Sequence, residues 1–209
     1  MEPVISFENF GFQYTAQAEP TLHDIRLTIR KGEKVLIAGP SGCGKSTLVH
    51  CMNGLIPNSY PGEATGKLTI GGQDAQSLSL FDFSKVVGTV LQDSDGQFIG
   101  LTVAEDIACA LENDCMEQGE MKRLVENIAQ VVDVSQVLGH TPCEISGGQK
   151  QRVALGLVNR GVAESEIRPR VEAGATASAI PYLWRCGISR TFSGNSGKFL
   201  WPSRPGAWR

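Results

Sequence analysis

Eight consecutive residues, Gly39-Pro40-Ser41-Gly42-Cys43-Gly44-Lys45-Ser46, carry the types and spacing G-x-x-x-x-G-K-[ST]. The chemistry they suit is capture of a phosphate chain. Glycines let the backbone curl so that successive N–H groups point inward and form an anion nest. A helix beginning at Lys45 would add its unpaired N–H groups and its dipole. Lys45 can reach the β- and γ-phosphates of a nucleotide, the Ser46 hydroxyl can ligate Mg²⁺, and Thr47 adds a further donor. Composition predicts roughly 0.01 chance matches to this pattern in a chain of this length, so its presence needs a cause.

A second constellation is Ile145-Ser146-Gly147-Gly148-Gln149-Lys150-Gln151-Arg152. Ser146 followed three residues later by Gln149 is a capping-box pattern, and on these residues alone a plain helix start explains it. The two glycines also leave backbone donors open to a ligand. Asp93-Ser94-Asp95-Gly96 matches the D-x-x-G of GTPase switches, but the guanine-reading Asn-Lys-x-Asp is absent from the sequence.

Several elements must position these residues. Val4-Ile5-Ser6-Phe7 reads as a strand continued by Phe10-Gly11-Phe12-Gln13-Tyr14. Ile25, Leu27 and Ile29 alternate with Arg26, Thr28 and Arg30, the period of a half-exposed strand. Val35-Leu36-Ile37-Ala38 reads as a strand buried on both faces, as in a covered parallel sheet. The glycine loop follows it, then a helix from Lys45 to about Asn53, closed by Gly54. Strands are predicted at Lys67–Ile70 and Val86–Leu91. Beyond them the texture turns helical. Thr102-Val103-Ala104-Glu105 opens a helix through Leu111, Gly119–Val132 has helical spacing, and Val153, Ala154, Leu157 and Val158 form a stripe after the second motif. The reading is therefore α/β.

Composition narrows the classes. The 209 residues are 41% hydrophobic and 20% charged, which suits a packed globular chain. No apolar run approaches the ~20 residues of a membrane-spanning helix, and Met1-Glu2-Pro3 opens no secretory leader. The six cysteines (43, 51, 109, 115, 143, 186) form no Cys-x-x-Cys pair, so reduced thiols are expected. A net charge of −3 disfavours nucleic acid as a partner. The charge is split, however. Residues 1–155 hold 11 Lys+Arg against 19 Asp+Glu; residues 156–209 hold 8 against 3 and all three Trp.

A phosphate loop followed about one hundred residues later by Ser-Gly-Gly-Gln resembles the ATP-binding-cassette (ABC) ATPases, whose fold is a P-loop NTPase core with a helical subdomain. The likeness covers about residues 4–158. It implies ATP with Mg²⁺ held by Gly39, Pro40, Ser41, Gly42, Cys43, Gly44, Lys45, Ser46 and Thr47, and an adenine stacked on Tyr14. It implies that Gln92 touches Mg²⁺ and the attacking water, and opens the loop that couples to a transmembrane subunit. Ser146, Gly147, Gly148 and Gln149 would then face the ATP of a second cassette, in a homo- or heterodimer or in a second half of the same chain. Gly54–Gly62 and Leu91–Phe98 look like the energy-coupling-factor and cobalt-type importers, especially the double-ATPase proteins of vitamin-precursor import. Such a subunit lies in the cytoplasm, against the inner face of the membrane.

The same resemblance implies domain limits: 1–158 as a partial ATP-binding domain, with a helical subdomain at about 93–145, and 159–209 as a non-matching tail, out of frame or disordered. The family continues after the signature helix into an apolar strand ending in Asp-Glu, then a switch His. Here no Asp or His follows residue 140. The expectation is a core incomplete at its C-terminal end, lacking the general base. The alternative function is thus nucleotide binding without turnover; a GTPase is the second alternative.

Overall fold

The computed structural model describes residues 3–91 and 95–158, with short strands at 182–183, 197–200, 202–204 and 207–208. Gln92 and most of the stretch after Val158 lie outside the described residues. The chain divides into two compact units, Met1–Gly88 with Arg185–Arg209, and Thr89–Trp184.

In the first unit, β1 (Pro3–Tyr14) is an inner strand of a four-stranded antiparallel sheet. It pairs with β2 (Leu22–Arg30) on one side and β4 (Gly62–Ile70) on the other; β5 (Gln73–Asp74) borders β4. The expected alternation in β2 is observed: Leu22, Ile25, Leu27 and Ile29 are buried, while Asp24, Arg26 and Arg30 are exposed. Ile5, Phe7, Phe12 and Ile70 join them in the core. The two segments read in β1 are one strand whose register shifts between Phe7 and Phe10, with Asn9 at φ 48°. Such a bulge re-aims the aromatic run beyond it. β4 begins five residues earlier than predicted, because Gly62–Thr65 pair with Tyr14–Gly11 despite their weak strand propensity.

β3 (Lys34–Ile37) pairs in parallel with β8 (Gly197–Leu200), Leu36 opposite Phe199. The expected burial on both faces is corrected: Val35, Leu36 and Ile37 are only half-buried. Among the described residues β3 has one strand neighbour, where a central strand has two. The glycine loop leads from β3 into α1 (Lys45–Met52), which buries Leu48, Val49, Cys51 and Met52. Gly54 ends that run in the left-handed region, at φ 79°, where a Cβ would lie 2.5 Å from the Phe83 ring. The short α2 (Leu55–Asn58) follows.

The predicted strand Val86–Leu91 is corrected. Val86 closes a helix, α3 (Leu80–Val86), and the strand is only β6 (Thr89–Val90). Ser79 and Asp82 form a reciprocal capping box that starts α3.

The second unit packs α4 (Val103–Glu112), α5 (Gln118–Val131) and α6 (Gly147–Val158), with β6 paired antiparallel to β7 (Tyr182–Leu183). The remaining described strands, β9 (Pro202–Arg204) and β10 (Ala207–Trp208), pair with each other in the first unit. The helical core is Val103, Ile107, Leu111, Val125, Ile128, Ala129, Val132 and Val153. Gly156 lets α6 approach α5 closely, since a Cβ there would lie 2.9 Å from Ile128. The run Leu155–Val158 is confirmed as part of the helix. Among the described residues no helix is long and apolar enough to cross a membrane.

Candidate nucleotide site

Gly42 and Gly44 carry φ values of 80° and 93°, so the loop turns where only glycine turns without strain. Gly44 is also packed: a Cβ would lie 3.0 Å from Leu22 and 3.2 Å from the Thr21 carbonyl oxygen. The helical ladder starts with Leu48 N–H donating to the Gly44 carbonyl at 2.9 Å. The N–H groups of Lys45, Ser46 and Thr47, ahead of that bond, have no partner in the helix itself. Lys45 folds back over the loop. Its Nζ donates to the carbonyl oxygens of Gly39 at 2.9 Å and Pro40 at 2.7 Å, and lies 3.7 Å from Cys43 Sγ. Chemically, the free N–H groups and dipole at the helix start, with one ammonium folded over the loop, are groups of the kind that suit an anion. Pro40, Ser41 and Gly42 are exposed at the rim, and so is Ser46. The exposed Ser46 hydroxyl in the first turn is the group here that would hold Mg²⁺, whose chemistry is to neutralise charge on phosphate oxygens.

Tyr14 ends β1 opposite Gly62. Its hydroxyl is 3.0 Å from Thr47 Oγ1 on α1, which places the tyrosine beside the first turn of that helix. Its ring is edge-on to Phe12 at 4.9 Å. Sequence reasoning missed two neighbours. His50 stacks on Tyr60 at 5.0 Å, and Tyr60 stands edge-on to Tyr14 at 6.5 Å. Helical spacing from Thr47 could have flagged His50; Tyr60 depends on the strand register and could not be read. Burial depresses the His50 imidazole below its ordinary pKa, and pushes the Cys51 thiol up to about 12.

The second motif does cap a helix. Gln149 N–H donates to Ser146 Oγ at 3.3 Å, and Ser146 N–H donates to Gln149 Oε1 at 2.8 Å. Ser146, Gly147 and Gly148 are exposed, and Gln149 is half-buried. A capping function and an exposed donor surface therefore coexist. Arg152, one turn on, donates to Asp133 Oδ2 at 2.8 Å.

A further built feature precedes α4. Asp106 is buried, and its Oδ1 accepts the N–H groups of Ile99 and Gly100, both at 2.8 Å. Glu105 Oε2 accepts those of Leu101 at 2.8 Å and Thr102 at 3.2 Å. Four successive N–H groups are thus tied to two adjacent carboxylates. The turn so fixed presents Ile99 and Leu101, 81% and 78% exposed. Replacing Asp106 with alanine is expected to destabilise the chain by about 2–4 kcal/mol, since two charge-assisted bonds are lost and two N–H groups left unpaired. Urea unfolding would measure it; Asp106→Asn, which keeps the acceptor oxygen, should lose less.

A glycine phosphate loop between a strand and a helix, with a separate helical unit, defines a P-loop nucleotide-binding class. The comparisons make the class specific: the ABC transporter family profile matches residues 22–159, and the chain belongs to that family. An ABC transporter ATP-binding protein by name, from Enterococcus faecalis, is 61% identical over 161 residues, covering 76% of this chain and 28% of that relative. One from Clostridium perfringens is 58% identical over 152 residues, covering 73% of this chain and 27% of the relative. The chain thus spans little more than a quarter of the length of these relatives. Among solved structures, cbiO1 of Clostridium perfringens, described as part of the ABC transporter complex cbiONQ, matches with a TM-score of 0.66. At 24% identity over 76% of this chain and 61% of that one, this likeness concerns the fold. The expected α/β fold, that of an ABC ATPase core of the P-loop NTPase type, is borne out.

Proposed function

We propose that the chain is the ATP-binding part of an energy-coupling-factor-type ABC importer, linking ATP binding and hydrolysis to uptake of a small nutrient. The phosphate loop carries this reading: the Lys45 ammonium folds over the glycine loop that leads into α1, whose first N–H groups have no partner within the helix. Tyr14 stacks the adenine, and Gly39–Thr47 hold the phosphates. The motif Ser146–Gln149 faces the ATP of a second cassette, in a partner copy or in another part of a longer chain. Gln92 lies outside the described residues, and its role as Mg²⁺ and water contact rests on the family likeness. The segments Gly54–Gly62 and Leu91–Phe98 support the energy-coupling subgroup. The exposed pair Ile99 and Leu101, on a turn fixed by Asp106 and Glu105, suits docking against a transmembrane subunit at the inner membrane face.

A second reading applies to the chain taken alone: it binds nucleotide without turnover. The observation favouring it is that residues 159–209 contain no Asp and no His. Titration with a ribose-labelled fluorescent ATP tests the common core of both. Saturable binding displaced by ATP at lower concentration than GTP is expected; preference for GTP would move the chain to the GTPase class. Gln149→Ala should leave this binding nearly unchanged in the monomer, because the motif serves another cassette's nucleotide. A large loss in the monomer would place it in its own site.

A further inference from the structure

Three side chains beside the phosphate loop have no part in holding phosphate. His50 follows Thr47 by three residues on α1, which puts both on one helix face. The His50 ring lies 22° from parallel with Tyr60, and Tyr60 stands at 89° to Tyr14. The hydroxyl of Tyr14 returns to Thr47. The contacts close a circuit from helix to loop to strand and back to the helix.

The backbone delivers Tyr60 to this place. Tyr60 N–H donates to the Leu55 carbonyl at 3.1 Å, Thr15 N–H donates to the Pro61 carbonyl at 3.3 Å, and Gly62 is the strand partner of Tyr14. Yet the Tyr60 ring is 42% exposed, so core burial does not explain it. His50 is not held by a hydrogen bond at Nδ1, which is buried without a partner among the described residues. Its stack on Tyr60 is a contact that can orient it.

Tyr14 needs such support for a geometric reason. Its bond to Thr47 lies at the tip of the side chain, on the axis from Cβ to the hydroxyl. Rotation of the ring about that axis leaves the bond intact and turns the ring plane. Contacts at the flanks of the ring fix the plane, and the aromatic ones among the described residues are Phe12 and Tyr60. A base stacks well only on a ring held at the right tilt.

We propose that Tyr60, backed by His50, is a positioning residue that sets the plane of Tyr14 and thereby the affinity for the nucleotide base. The inference rests on the nucleotide site proposed above. The whole 209-residue chain is titrated with ribose-labelled ATP, which is displaced by unlabelled ATP or by tripolyphosphate, a ligand with no base. Tyr60→Ala should weaken ATP about threefold to tenfold, the cost of ordering a side chain that is no longer pre-set, and should leave tripolyphosphate unchanged. Tyr60→Phe, which keeps the ring, should bind as the parent does. His50→Ala should repeat the pattern more weakly, and provides the same comparison if Tyr60→Ala fails to fold. Unchanged ATP affinity in Tyr60→Ala, or equal losses for ATP and tripolyphosphate, would overturn the proposal. Two parallel variants separate its failure from that of the site. Tyr14→Ala sparing ATP would remove the stacking platform, and Lys45→Ala sparing both ligands would remove the phosphate site; either result overturns the proposal as well.

Discussion

Lys45→Ala is expected to weaken ATP binding roughly 10- to 150-fold, the range of about 1.5–3 kcal/mol for a hydrogen bond to a charged group. The structure shows why the loss should lie toward the upper end. The ammonium bridges two carbonyl oxygens of the loop, those of Gly39 and Pro40. Removing it takes away the positive charge proposed to face phosphate, and also the donor that ties both carbonyls in place. These carbonyl dipoles would then meet an anion with less compensation. Phosphate affinity and loop order should fall together, whereas global stability should change little because Lys45 is only half-buried. The measurement is a fluorescent-ATP titration of parent and variant, with thermal unfolding alongside. Equal affinities would overturn the phosphate-loop reading. A lowered melting temperature with unchanged affinity would mean that Lys45 serves the loop alone.

Features governed by near neighbours in sequence were legible, and those governed by distant pairing were not. The glycine loop is local: positive φ at Gly42 and Gly44 needs glycine whatever surrounds them. The caps at Thr102–Glu105 and Ser146–Gln149 are local too, and both appear as reciprocal hydrogen bonds. The box at Ser79–Asp82 is equally local, yet the pattern around it does not announce a helix. The apolar run Val86–Leu91 after it invited a strand, and α3 buries only Phe83. A helix with so small a buried face leaves almost no periodic signal. The half-burial of Val35–Ile37 is illegible for the opposite reason. An apolar strand signals what could cover it, while actual cover depends on neighbours far along the chain. Asp106 was also invisible, because two acidic residues in the first turn of a helix ordinarily mean only a favourable dipole. Its bonds to Ile99 and Gly100 arise because the chain doubles back before the helix.

Steady-state phosphate release by the purified chain should be no faster with Mg²⁺ than that of its Lys45→Ala variant. Binding and turnover ask for different residues. Binding is expected to need the loop, and every residue of its motif, Gly39–Ser46, is present. Turnover needs a carboxylate or imidazole within reach of the attacking water, and positioned proton transfer contributes about 10²–10⁴-fold in rate. In the family resembled, that group ends an apolar strand after the signature helix. In this chain the apolar run Leu155–Val158 is the signature helix itself, so it cannot also be that strand. Beyond it the sequence offers Glu164, Glu166 and Glu172, none preceded by a strand-like apolar run, and no Asp or His. Asp106 is no substitute: its Oδ1 is committed to two N–H groups and it is 1% exposed. Ser146–Gln149 contain no carboxylate or imidazole, so they offer no base. The expected result is therefore ATP binding that depends on Lys45, without phosphate release that depends on it. Mg-dependent release that disappears in Lys45→Ala would overturn this. A base would then have to lie among Glu164, Glu166 and Glu172, and changing each to Gln would find it by a rate loss of about 10²-fold or more with ATP affinity retained.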